Sequence, residues 1–194
     1  MLHETPRTVC WSAIWNHNST GLGLENVVLT EGRADSILLA FAEDGTPFRL
    51  IYRLAWDELG LIREADLAVK TGLEQRSLLL RSDGNGHWRH AHGDRLADLD
   101  GCIDIDIWPT PLTNSLPLWR SGLGMNQRQE YRMAWVSAPE LTVAAKPQAY
   151  TCLKDGLYLF ESLDGSGFQA ELAVDDELVV VDYPNLFVRV GSAS

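Results

Sequence analysis

Asp98-Leu-Asp-Gly-Cys-Ile-Asp-Ile-Asp-Ile-Trp-Pro-Thr-Pro-Leu-Thr-Asn-Ser-Leu-Pro-Leu-Trp-Arg120 changes its period half-way along. From Cys102 to Trp108 it alternates. Ile103, Ile105 and Ile107 fall on one face of a strand, and Cys102, Asp104, Asp106 and Trp108 on the other. Beyond Pro109 and Pro111, Leu112, Leu116, Trp119 and Leu123 recur at helical spacing. Asn114 or Ser115 is placed to cap that helix, Pro117 suits a first turn, and Gly122 or Gly124 ends it. This is the one good helix candidate in the chain.

Outward from this stretch the sequence reads as strand in both directions. Strands are expected at 9–15, 21–30, 33–42, 47–56, 61–70, 75–82 and 87–92 before it. After it they are expected at 129–136, 141–146, 148–153, 157–163, 168–174, 177–182 and 186–190. Asp-Gly pairs at Asp44, Asp83, Asp155 and Asp164 mark tight turns between them. Many short strands at regular spacing indicate a mostly β, antiparallel architecture. With no linker composition and no internal repeat, one domain over 1–194 is expected.

Composition narrows the function. A net charge of -11 argues against a nucleic-acid partner, which needs a basic footprint. No apolar run reaches the ~20 residues of a membrane-spanning segment, and the first residues carry no secretory pattern. Cys10, Cys102 and Cys152 are an odd, scattered set, read as reduced thiols in the cytoplasm. Seven tryptophans are many for this length and read first as core and interface packing. Many strands with edges and apolar patches to cover point to a homodimer.

The Asp104/Asp106 pair has two readings. Either the isoleucines face the core and the aspartates face water, or the sheet curls and the acidic face lines a cavity. Trp108 and Cys102 beside the carboxylates tip the balance toward the cavity, where carboxylates accept hydrogen bonds from a hydroxyl-rich ligand and Trp108 offers a face to a sugar ring. Two carboxylates also raise a glycosidase or lipid-modifying enzyme with Asp104 or Asp106 as general acid or base, but both lie on one wall rather than across a bond. His87, His90, His92 and Asp94 do not put three metal ligands on one face, so no metal and no cofactor is expected.

At Gly101-Cys-Ile-Asp-Ile-Asp106, followed by Thr110-Pro-Leu-Thr-Asn-Ser-Leu-Pro117, the chain resembles a bacterial family described as putative glycolipid-binding and first known as a family of unknown function. Gly23-Leu-Glu25, Tyr52 with Trp56 and Arg63, Gly86-His-Trp88 and Asp182-Tyr-Pro-Asn-Leu-Phe-Val-Arg189 match as well. The resemblance implies a strongly curved, open barrel-like antiparallel sheet wrapped around a single helix, paired as a dimer. It implies non-catalytic binding of a glycolipid or sugar-bearing amphiphile in an acidic pocket. Carried onto this sequence, that pocket takes in Asp104, Asp106, Thr110, Thr113 and Asn114, with Arg120 nearby; the indole of Trp108 joins them from the strand pattern. Where the family tends to carry a basic residue after Leu-Pro-x, this chain has Trp119 before Arg120, one charge fewer.

Overall fold

The structure is a computed structural model that describes residues 6–14 and 23–193. Trp15 and the start of the second expected strand lie outside these. The described residues form β1 (Arg7–Ala13), β2 (Gly23–Thr30), β3 (Arg33–Phe41), β4 (Pro47–Trp56), β5 (Ile62–Thr71), β6 (Glu74–Ser82) and β7 (Trp88–His90). Then come β8 (Asp104–Trp108), α1 (Ser115–Ser121), β9 (Arg128–Ser137), β10 (Thr142–Lys154), β11 (Leu157–Ser162), β12 (Gln169–Val174), β13 (Val180–Tyr183) and β14 (Phe187–Ala193). All the strands belong to one curved sheet, in the order β7-β6-β5-β4-β3-β2-β1-β14-β13-β12-β11-β10-β9-β8, which does not close into a barrel.

Alternation builds the inner face. Val9 and Trp11, Val27 and Leu29, Leu50, Tyr52 and Leu54, and Leu67 and Val69 all turn inward and are buried. Neighbouring strands are antiparallel with one exception. β8 and β9 run parallel, Asp104 opposite Met133 and Trp108 opposite Ser137. The chain between them carries the helix and crosses over instead of turning back, as a parallel pair requires. The two strands expected at 141–146 and 148–153 are one strand, β10, with Pro147 inside it. The carbonyl of Pro147 accepts from the Leu163 N–H, on the side where the β11 ladder has already ended. A residue's N–H and carbonyl point to the same side of a strand, so the missing donor costs no bond to β9.

The helical segment begins as a 3-10 turn, Leu112–Asn114, and continues as α1. Gly122 ends it in the left-handed conformation, donating to the Leu118 carbonyl. Asn114 sits at the expected cap position, but its side chain reaches elsewhere. Leu112, Leu116 and Leu118 are fully buried. Trp119 tilts against Trp56 of β4 at 5.7 Å and donates its ring N–H to the Glu177 carbonyl. A strand from one half of the sheet and the turn between β12 and β13 from the other therefore hold the helix in the concavity.

The segments that lead into the two edge strands meet. Gly101 donates to the Gly86 carbonyl at 2.9 Å, and the Trp88 ring N–H donates to the Cys102 carbonyl at 2.7 Å. Gly86 has φ +86°, and a Cβ there would lie 2.9 Å from the Gly101 Cα. Gly45 has nearly the same φ, +83°, with nothing within 4 Å. Gly86→Ala is therefore expected to cost about 2–4 kcal/mol, against about 1 kcal/mol for Gly45→Ala. Urea unfolding of the two variants measures the difference, and equal losses would show that the seam is not tightly packed.

Candidate functional site

β8 delivers Asp106, Ile107 and Trp108 to a cavity of about 290 Å³ inside the curve of the sheet. The turn after β8 adds Thr110 and Asn114, and β10 adds Lys146 and Gln148. Trp135, Phe160, Phe168, Tyr183 and Phe187 supply aromatic wall. The polar groups are organised by one another. Asp106 accepts from the Thr113 hydroxyl at 3.1 Å and from Gln148 Nε2 at 2.5 Å. Thr113 in turn accepts the Ile107 N–H, so the helical turn is pinned to the strand that carries the carboxylate. Burial pushes the Asp106 carboxyl above its ordinary value, against the opposing effect of these two donors.

Because Asp106 takes the Nε2 of Gln148, the amide oxygen points away from the carboxylate. That Gln148 Oε1 is buried and has no hydrogen-bond partner among the described residues. Asn114 is spent locally: its Oδ1 accepts from the Tyr150 hydroxyl at 2.9 Å, and its Nδ2 reaches the Pro111 carbonyl at 3.4 Å. Lys146 lies 3.5 Å over the Trp135 ring and 3.7 Å from Asp164, which places one cation beside the cavity.

Of the residues singled out from sequence, Asp106, Trp108, Thr110 and Asn114 line this cavity. Thr113 stands behind Asp106. Asp104 and Arg120 form a separate pair: Asp104 is 1 % exposed and accepts from Arg120 at 2.6 and 3.3 Å, while the guanidinium also lies over Tyr131. The two aspartates thus share a strand face but not a partner. Removing the Asp104 charge would leave the Arg120 cation without its counter-ion, so the stability gain that simple repulsion suggests does not extend to Asp104.

A third carboxylate sits behind the cavity. Glu25 of β2 is wholly buried. Its Oε1 accepts from the Tyr52 hydroxyl at 2.7 Å and the Ser36 hydroxyl at 2.8 Å, and Thr110 Oγ1 lies 2.8 and 2.9 Å from its two oxygens. Burial raises its pKa to about 7, although all three hydroxyls oppose the shift. Sequence reading placed Glu25 only among the family matches. The available signal was parity, since Glu25 falls on the same strand face as Val27 and Leu29.

The family model described as "Putative glycolipid-binding" matches residues 12–189. The chain belongs to that family. Among solved structures, the crystal structure of a DUF1089 family protein from Pseudomonas aeruginosa is similar, at 43% sequence identity. The alignment covers 93% of this chain and 97% of that one, with a TM-score of 0.85. No curated protein matches the chain. Among the described residues, no helix is long and apolar enough to cross a membrane, and no group of three or more His, Cys, Asp or Glu side chains is arranged to hold a metal ion.

Glu25 sets a pH dependence. Its folded pKa lies above its unfolded value, so the folded state holds the extra proton between pH 4.5 and about 7. The stability it permits is fully present below pH 4.5, falls as pH rises through about 7, and is level above that. The loss amounts to about 3 kcal/mol. Glu25→Gln keeps the shape and is expected to flatten this slope and to be the more stable protein at pH 8. Denaturant unfolding at a series of pH values tests it; an unchanged slope in the variant would assign the dependence to another group.

Proposed function

We propose that the cavity beside Trp108 takes the hydroxyl-bearing head of a glycolipid or other sugar-bearing amphiphile and holds it without converting it, in glycolipid metabolism or cell-envelope lipid handling. The observation that carries this reading is that Gln148, bonded to Asp106 through Nε2, leaves its buried Oε1 without a donor. A buried acceptor without a donor costs about 1–3 kcal/mol, and a sugar hydroxyl is a neutral donor that relieves it. Aromatic rings around a few convergent polar groups suit the mixed apolar and polar faces of a sugar. A volume of about 290 Å³ suits a head group rather than a whole lipid, small-ligand pockets running from about 300 to 1,000 Å³. The family description supports the same ligand class. A hydrolase built on Asp104 with Asp106 is less well supported, because Asp104 is tied to Arg120 and lies outside the cavity wall. Three free thiols agree with residence in the cytoplasm.

Titration with octyl glucoside below its micelle concentration, read by tryptophan fluorescence, tests the proposal, since Trp108 and Trp135 both line the cavity. A saturable change is expected, with octyl phosphocholine as the control for the chain alone. Asp106→Asn should weaken glucoside binding roughly tenfold, the worth of a charge-assisted hydrogen bond. Equal responses to both detergents, or an unaffected variant, would remove the sugar from the reading.

We also propose that two chains pair through the outer face of β14, β1, β2, β3 and β4. Leu24 and Leu39 are direct cross-strand neighbours, each about half exposed, and Ile37 and Val188 extend the apolar area. Leaving such a patch in water is unfavourable, and a second copy covers it symmetrically. Light scattering at micromolar concentration is expected to give twice the chain mass, and Leu24→Glu with Leu39→Glu to give a monomer. A wild-type monomer would exclude the pairing.

A further inference from the structure

In a chain of net charge -11, one surface row is basic. Arg81 of β6 is directly opposite Arg89 of β7, and Arg89 is bridged in turn to Arg95. Cross-strand partners project from the same face, so three guanidiniums stand side by side at the edge of the sheet. Like charges directly opposite are destabilising, and the packing asks nothing of them: the buried contacts of this edge come from Leu80 and Trp88 on the other face.

Each guanidinium is held in place while most of its donors are left unspent. Arg81 donates to Glu64 at 3.1 Å, Arg95 to Asp100 at 2.6 Å, and Arg89 to the Gly93 carbonyl at 3.0 Å. Arg89 has no carboxylate partner among the described residues. His87 stands beside the row, steadied by Asp83 at 2.7 Å, and with the three arginines it lines a surface concavity of about 520 Å³. An arginine offers five N–H donors in a planar fork that matches oxyanions bidentately. Three such forks converging on one hollow match a tetrahedral dianion, with several acceptor oxygens, better than they match a single carboxylate.

We infer that Arg81, Arg89 and Arg95, with His87, form an oxyanion site for a phosphate monoester, separate from the cavity beside Trp108. The site makes no use of Asp106, Gln148 or Glu25, so it stands or falls independently of the sugar reading.

The test is titration with inorganic phosphate at constant ionic strength, followed by amide chemical shifts, alongside sedimentation with phosphatidylcholine vesicles made with and without phosphatidic acid. Saturable shifts around β6 and β7, weakened roughly tenfold in Arg89→Gln and unchanged in Lys70→Gln at an exposed position at the far end of β5, support the site and a free phosphate as its source. Co-sedimentation that requires phosphatidic acid and is lost in Arg89→Gln supports it with a lipid-borne phosphate. The absence of any Arg89-dependent response to either probe, or equal weakening by Arg89→Gln and Lys70→Gln, overturns it. Arg89 is exposed, and matching thermal unfolding of the two variants confirms that the fold is intact.

Discussion

The hydrogen bond between Thr110 and Glu25 ties together parts of the chain that are 85 residues apart. Glu25, Ser36 and Tyr52 come from three adjacent strands at one side of the sheet, while Thr110 comes from the turn that leaves β8 at its far edge. The bond therefore fixes where the last strand and the helix after it sit against the first half of the sheet. Thr110 also accepts the Leu112 N–H at the start of the helical turn. A hydroxyl both donates and accepts, so it serves Glu25 in either protonation state. The cost is a buried acid held partly protonated near neutral pH. In return the back wall of the cavity is rigid, because Thr110, which lines it, is bonded to the buried Glu25 carboxylate behind it.

An open sheet of this length needs its concave face filled. One helix and the aromatic side chains fill most of it. Trp11 and Trp88 are fully buried, and each gives its ring N–H to a backbone carbonyl, of Val180 and Cys102. These two are core, as the plain reading of the tryptophans holds. Trp108 and Trp135 are half-buried around the remaining space, which is where packing stops and the cavity begins. The cavity is thus the part of the interior that the helix does not reach, floored by the polar residues that anchor the helix to β8.

Much of the fold was legible in the sequence. The Asp-Gly turns and the alternation locate nearly every strand, and the change of period after Trp108 locates the helix and its glycine stop. Two things were not legible for physical reasons. The parallel pairing of β8 and β9 depends on where the crossover lands, which periodicity does not record. Glu25 was hidden because Leu24, Val28, Ile37 and Leu39 make the outer face apolar too, so the polarity contrast that separates inside from outside is absent on β2 and β3. In the candidate site, the acidic strand and the Thr-Pro-Leu-Thr-Asn turn were read as one pocket. Asp106, Trp108, Thr110 and Asn114 do meet around one cavity, but Asp104 is taken by Arg120, a partner sixteen residues away that only the folded helix brings near. Gln148 carried no signal of its own, being one polar residue beside a proline in a long strand.

Native mass spectrometry of the protein isolated from its own host bears most directly on the claim that the cavity holds a sugar head group. A bound species is expected whose fragments include a sugar and a lipid chain, present on the wild-type protein and depleted on Gln148→Leu, which removes the unsatisfied acceptor. Bare protein, or a bound lipid whose head carries no hydroxyl donors, would contradict it.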